Sequence, residues 1–137
     1  MRECTIEALA RLWNGVKAKL DAAAPQWQTS GNWTWRVTEN WLEAVYTATG
    51  QTIAVTNGSG AFYRSNAMTL TVPAAVRGDK TLNVKNVSVI CGHSGYPVTT
   101  AVETLVANGI TWFALSGSSR NSTGGYAITA RIEGTLE

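Results

Sequence analysis

Gly31-Asn32-Trp33-Thr34-Trp35-Arg36-Val37-Thr38-Glu39-Asn40-Trp41-Leu42-Glu43-Ala44-Val45-Tyr46 is the stretch of sequence that decides the fold. Its large side chains alternate with small or polar ones, which predicts two short β-strands joined by a turn near Glu39-Asn40. The residues that share a face are Trp33, Trp35 and Val37 on the first strand, then Trp41, Glu43 and Val45, and opposite them Leu42, Ala44 and Tyr46. Aromatic pairs across a hairpin stabilise it, so Trp33, Trp35, Trp41 and Tyr46 are predicted to pack the opening hairpin of an all-β domain.

The remainder of the chain after this hairpin also has the pattern of strands and turns. Turn dipeptides such as Asn57-Gly58 and Asn108-Gly109 separate short apolar runs, and the last run alternates from Tyr126 to Gly134. Including the opening hairpin, the predicted strands are 32–38, 41–48, 51–56, 61–64, 67–72, 82–91, 98–106, 109–116 and 125–136. Short strands spaced about ten residues apart predict an antiparallel β-sandwich.

The chain before the hairpin has a helical period. Apolar residues recur at spacings of three and four over residues 5–23 and define an oligomerisation seam of Ile6, Leu9, Trp13, Val16 and Leu20. Pro25 then ends the helix. Two packings fit this pattern: a short parallel coiled coil, or an amphipathic helix folded back on its own β-domain.

These patterns divide the chain into an N-terminal helix, residues 1–24, a neck, residues 25–31, and a β-sandwich domain, residues 32–137. The helix is predicted to serve oligomerisation or anchoring.

The composition excludes several classes of function. Charged residues are 15% of the 137 and the net charge is +2, with the basic residues scattered, so a nucleic-acid partner is not expected. No apolar run is long enough to span a membrane and no signal peptide opens the chain. Cys4 and Cys91 make no disulfide framework, and two free thiols are the simpler reading, with a disulfide between them left open.

Residues able to carry catalysis are few. Cys91 and His93 lie two apart, but no third group is evident to orient the imidazole as a base. Glu39 and Glu43 do not form the paired carboxylates that a glycoside hydrolase needs. The sequence therefore predicts no enzyme activity, no catalytic residue, no metal site and no cofactor. Candidate surface-contact residues are Tyr96, Trp112, Phe113 and Arg120.

The opening motif also resembles a known family. Gly31-Asn32-Trp33-Thr34-Trp35-Arg36 followed by Trp41-Leu42-Glu43-Ala44, with a Ser-rich loop at 116–119 and a final Tyr-Ala-Ile strand, is similar to the C-terminal β-domains of bacteriophage minor structural and tail-fibre-like proteins, including head-fibre and receptor-binding proteins. The resemblance departs at Val37-Thr38, where the family often has Lys-Trp.

This resemblance implies a virion protein made in the host cytoplasm: a short trimeric fibre, decoration or tail appendage. Its expected partners are its own copies in a homotrimer, other virion proteins and a bacterial surface glycan, with neither nucleic acid nor membrane. The alternative function is a monomeric carbohydrate-binding module with exposed tryptophans and its helix packed on the sheet.

Overall fold

The computed structural model describes residues 6–23 and 25–137. An N-terminal helix is followed by nine strands and one further helical turn. In chain order the elements are α1 (Ile6–Ala23), β1 (Gln28–Ser30), β2 (Trp33–Thr38), β3 (Trp41–Ser59), β4 (Phe62–Ser65), β5 (Met68–Thr71), α2 (Ala74–Arg77), β6 (Leu82–Gly92), β7 (Thr99–Val106), β8 (Gly109–Ser116) and β9 (Arg120–Leu136). The predicted fold class, mainly β with an N-terminal helix and antiparallel strands, is confirmed.

The strands form one continuous antiparallel sheet that curls around the core. Its centre is the long pair β3–β9, flanked on one side by β6 and on the other by β2 and then β1. The far part of β3 pairs with β4, which leads through β8 to β5 and β7. The curl brings β7 back towards β6, where the Thr100 hydroxyl donates a hydrogen bond to the Val89 carbonyl.

The core is lined by the alternating inner positions of the strands, as period-two patterning requires. Leu42, Val55, Ile110, Tyr126 and Ile132 have no exposed surface. The backbones approach closely at Gly134, which lies opposite Leu42 on β3 and Val84 on β6. A Cβ atom there would lie 2.0 Å from the Asn83 carbonyl oxygen, so only glycine fits.

The strand break predicted at Thr49-Gly50 was wrong. Gly50 adopts φ +66° inside β3, where Thr49-Gly50 was expected to be a turn between two strands. Because β9 pairs with β3 on both sides of this point, the glycine produces an irregularity in register and the strand continues.

Three further segments differ from expectation. Asn57-Gly58 lies within β3, and the turn falls at residues 60–61. The predicted loop 116–125 is a short loop, residues 117–119, followed by the start of β9. The second half of the predicted neck is strand β1, which pairs with β2. In each case a neighbouring strand extends the hydrogen-bonded ladder beyond the turn signal.

The two ends of the sheet carry different segments of the chain. β1 pairs Gln28 with Trp35 and then Ser30 with Trp33, so the chain coming from α1 enters at the end where β2 turns into β3. We call this the helix end. At the opposite end, Val55 pairs with Arg120 and Gly92 with Ala127. The segments 60–61, 93–98 and 117–119 lie there and form what we call the loop end.

Helix α1 keeps its apolar side chains in solvent. Every side chain described from Ile6 to Lys19 is exposed, including Ile6 at 86% and Trp13 at 62%. Of the two packings left open by the sequence, the one in which the helix folds back on the β-domain is not observed. Among the residues described, no helix has the length and apolar character needed to cross a membrane.

Candidate functional site

Three of the four predicted aromatic residues of the opening hairpin, Trp33, Trp35 and Tyr46, pack in or against the protein's core. Trp33 and Trp35 are buried on the inner face of β2, and the Trp33 ring lies 5.3 Å from that of Tyr46 on β3 at a tilt of 54°. Trp41 is half-buried on the outer face. Trp33 and Trp35 have no face free to stack on a ligand.

Trp112 and Phe113 point to opposite sides of β8. Trp112 is 3% exposed and belongs to the core, so Phe113 is the outward member of this adjacent pair. The Arg64 guanidinium lies 5.3 Å from the centre of the Phe113 ring. A cation over an aromatic face is a favourable arrangement, and it covers part of the ring.

Tyr96 and Arg120, two of the predicted contact residues, meet at the loop end. The Arg120 guanidinium carbon lies 4.1 Å from the centre of the Tyr96 ring, and the His93 imidazole stacks on the same ring at 4.1 Å and 16°. Two groups this close to one ring centre cannot share a face without overlapping, so they cover opposite faces. Neither face of the Tyr96 ring is therefore free to stack on a sugar.

Tyr126 completes this cluster from strand β9. Its hydroxyl shares a hydrogen bond with the Tyr96 hydroxyl, and its ring meets His93 edge-on at 5.0 Å. Burial, together with the hydrogen bond shared with Tyr96, raises the pKa of the Tyr126 phenol well above its ordinary value. The cluster joins the 93–98 segment to β9. We call His93, Tyr96, Arg120 and Tyr126 the stacked cluster.

The sequence did not predict this cluster. His93 and Tyr126 are more than thirty residues apart, and their contact depends on the pairing of β6 with β9. One signal was present, because Tyr126 falls on the inner face in the alternation of the last strand. A tyrosine at a core position needs a hydrogen-bond partner for its hydroxyl.

Cys91 and His93 are not arranged as a nucleophile and a base. Cys91 is a buried free thiol, and burial raises its pKa, which disfavours the reactive thiolate. Both imidazole nitrogens of His93 are hydrogen-bonded to backbone groups, at Gly95 and Gly124. Cys4 lies outside the described residues. Within those residues, no three His, Cys, Asp or Glu side chains are grouped as metal ligands would be.

A row of charged side chains crosses the outer face of the sheet. Arg36 on β2 donates to Glu43 on β3 at 2.6 Å, and Arg131 on β9 contacts Glu43 at 3.3 Å and Glu133 at 2.6 Å. The hydrogen bond from Arg36 is the main reason that the pKa of Glu43 is lowered, with the charge of Arg131 adding to it. Glu43 is thus held ionised by two arginines and is not placed as a general acid.

The row continues at both sides of the sheet. The Arg36 guanidinium lies 4.7 Å from the centre of the Trp27 ring, just after α1. On the other side, the Asn86 side-chain amide donates to Glu133 at 3.4 Å. The row joins the segment after α1 to four strands of the sheet.

The predicted oligomerisation seam lies on α1. Ile6, Leu9, Trp13 and Val16 are exposed, and the side chain of Leu20 lies outside the described residues. Leu12 is also exposed and widens the apolar stripe.

No model of a protein family matches this sequence, and no curated protein matches it either. Two solved structures share its fold. One is an N-truncated R1-type pyocin tail fiber, with 15% sequence identity and a TM-score of 0.51 over 98% of this chain and 99% of that one. The other is a C-terminal part of the R1 pyocin fiber of P. aeruginosa, with 16% identity and a TM-score of 0.50 over 88% of this chain and 31% of that one. This chain therefore has a tail-fibre-like fold.

Proposed function

We propose that this chain is a non-enzymatic structural protein of a bacteriophage or phage-tail-like particle. It acts as a short homotrimeric fibre or tail appendage: α1 assembles three copies or docks them on other virion proteins, and the loop end is displayed outward. The likeness of fold to the pyocin tail fiber supports this role, since it extends over 98% of this chain and includes the helix.

The observation that carries the proposal is the exposed apolar stripe of α1. Most of a helix's stability in a protein comes from packing its apolar face, and Gly15 in the middle of α1 weakens it further. Within one chain, Ile6, Leu9, Trp13 and Val16 stay 42–86% exposed. Their spacing of three and four residues is that of a coiled-coil seam. We therefore expect these side chains to be buried between copies of α1 from neighbouring chains.

The opposite placement of α1 and the loop end supports outward display. The chain enters the sheet at the helix end, and the segments 60–61, 93–98 and 117–119 lie at the other. Assembly through α1 leaves these segments free to meet a bacterial surface glycan. Loops on a rigid scaffold are common sites of binding.

The first test is the mass of the full chain by light scattering on a size-exclusion column. We expect a particle of three times 14.6 kDa. Val16→Lys places a charge in the seam and should reduce the mass towards that of a monomer, whereas Ala18→Lys adds the same charge outside the seam and should leave the trimer intact. A monomer formed by the unaltered chain would overturn the trimeric fibre.

The second test addresses attachment, with an array of purified bacterial surface glycans as the probe. Ser119→Arg alters an exposed position at the loop end, and Thr81→Arg alters an exposed position at the helix end. We expect only Ser119→Arg to weaken binding. If the trimer binds no glycan, the proposed attachment role is wrong and the proposed structural role still stands.

The structure offers no support for the carbohydrate-binding module. That function predicted exposed tryptophans and a helix packed on the sheet. In the sheet, Trp33, Trp35 and Trp112 are buried and Tyr96 is covered on both faces. Trp13 and Trp27 are exposed, but they lie on α1 and just after it, and α1 does not pack on the sheet.

A further inference from the structure

An open groove lies on the outer face of the sheet at the loop end. Its floor is Leu115 on β8, whose side chain points outward because Ala114 and Ser116 on either side of it are buried. Leu115 pairs with Arg64 on β4 and with Thr99 on β7. Directly paired residues of an antiparallel sheet point to the same side, so these three side chains form one row across the outer face.

Other side chains border this floor on both sides. Phe62 lies on the β4 side, Pro97 and Val98 lie on the β7 side, and Gly117 lies at the loop end of a space of about 240 Å³. Phe62 is 55% exposed, and no aromatic ring or cation stacks on it within the described part of the chain. An exposed aromatic ring beside a concave apolar floor can pack against the C–H face of a sugar.

Arg64 supplies a positive charge at the edge of the groove. It is exposed, and its guanidinium lies over the Phe113 ring. It takes part in none of the three ion pairs among residues 6–23 and 25–137, so no carboxylate in that part of the chain neutralises it. The fork of N–H donors on a guanidinium matches the paired oxygens of a carboxylate or a phosphate.

The sequence around the groove contains no carboxylate. Residues 44–78, 80–102 and 104–132 include no Asp or Glu, and every residue of the groove falls within these ranges. The strands carry three glutamates, all further from the loop end than the groove: Glu43, Glu103 and Glu133. Arg64 and Arg120 therefore give the loop end a positive charge without a nearby counter-charge, which favours an anionic ligand.

We propose that this groove binds an acidic sugar of a bacterial surface glycan. The ring of the sugar packs against Phe62 and Leu115, and its carboxylate or phosphate accepts hydrogen bonds from the Arg64 guanidinium. The Thr99 side chain lies on the other side of Leu115, where its hydroxyl can meet a sugar hydroxyl. This inference rests on the proposed attachment for the source of the sugar, and it specifies the chemistry of that sugar.

The test uses the full chain and an array of glycans in matched pairs. Glycans that contain a hexuronic acid are compared with the same glycans after reduction of the carboxyl group to an alcohol. Phosphorylated glycans are compared before and after phosphatase treatment. We expect binding to weaken about tenfold or more when the acidic group is removed, since hydrogen bonds to a charged group are lost. The treatment that weakens binding identifies the group as carboxylate or phosphate.

Two variants test whether binding takes place in the groove. Arg64→Gln should weaken the binding of acidic glycans by a similar factor, whereas Lys85→Gln, the matched control, should not. The control removes the same charge from an exposed position on β6 outside the groove. Phe62→Leu keeps an apolar side chain but removes the aromatic ring, and it should also weaken binding. All three side chains are exposed, and thermal unfolding of each variant checks that the fold is kept.

Three outcomes would overturn the inference, and they differ in what they say of attachment. Equal binding of the acidic and neutral members of each pair would show that the groove does not select acidic sugars, and the proposed attachment would stand. Equal losses in Arg64→Gln and Lys85→Gln would assign the effect to net charge and not to the groove. If the unaltered chain binds no glycan of the array, both this inference and the proposed attachment are wrong.

Discussion

Glu43 and Glu133 lie directly opposite one another on β3 and β9, two carboxylates at a single register position of the sheet. Like charges in this arrangement are destabilising. The Arg131 guanidinium offsets this repulsion because it contacts both carboxylates, Glu43 at 3.3 Å and Glu133 at 2.6 Å. The two acids are compatible with the fold because this arginine lies between them.

Arg131→Gln should therefore lower the free energy of unfolding by about 0.5–1 kcal/mol, since the facing carboxylates lose their shared cation while remaining partly solvated. Urea unfolding at pH 7 measures the change. Lys85→Gln removes one positive charge from an exposed position and should have little effect. The double variant Arg131→Gln/Glu133→Gln should recover part of the loss, and no recovery would contradict the explanation.

Acidification should destabilise the sheet through Glu43. The hydrogen bond from Arg36, followed by the charges of both arginines, lowers the pKa of this carboxyl in the folded state. Its contribution is therefore complete above the ordinary glutamate pKa of about 4.3 and is lost as the pH falls through the lower folded value.

The measurement for this prediction is the urea midpoint at pH 7, 5 and 3. Glu43→Gln should lose stability at pH 7 and show a shallower decline towards pH 3 than the unaltered chain. Glu103→Gln alters an exposed glutamate and should follow the unaltered chain. Parallel declines in all three proteins would show that Glu43 has no such role.

Gly134→Ala should be strongly destabilising. The new methyl group would overlap the Asn83 carbonyl, which belongs to backbone and cannot rotate aside. Forcing the strands apart costs about 1–3 kcal/mol or more. Gly92→Ala, also in a strand, has open space around its Cβ position, and thermal unfolding should show little change. Equal effects of the two substitutions would contradict the close approach.

The hydroxyls of Tyr96 and Tyr126 should contribute to the free energy of unfolding as a pair. Each Tyr→Phe substitution removes the same hydroxyl–hydroxyl bond, so each should cost about 0.5–1.5 kcal/mol. The double variant should cost less than the sum, because no unpaired hydroxyl is left buried. A double-mutant cycle by urea unfolding checks this, and strict additivity would exclude the bond as a source of stability.

Local alternation was enough to predict most strands. The hairpin from Trp33 to Tyr46 has its predicted faces and its predicted turn, because a single period-two pattern decides both. The helix over Ile6–Ala23 was predicted equally well from its own period. Features that depend on distant pairing were not predicted. The same Asn-Gly signal marks a real turn at Asn108 and lies within strand β3 at Asn57, and only the neighbouring strands distinguish them.

The candidate site shows the same limit. Tyr96 and Arg120 were identified separately as contact residues, and nothing local to either indicated that they stack on one another with His93. The charged row likewise joins Glu43 in the opening hairpin to Arg131 on β9, 88 residues later in the sequence. Such arrangements follow from strand register, which the pattern of one strand does not specify.

The long pairing of β3 with β9 has a mechanical consequence. Its ladder extends from Trp41 near the helix end to Val55 near the loop end, and antiparallel hydrogen bonds lie perpendicular to their strands. Tension between the two ends of the protein therefore pulls along the strands and shears many bonds at once, where a peeling force would break them in turn. The protein should therefore resist traction along these strands, and optical-tweezer pulling along them should give higher rupture forces than pulling across them.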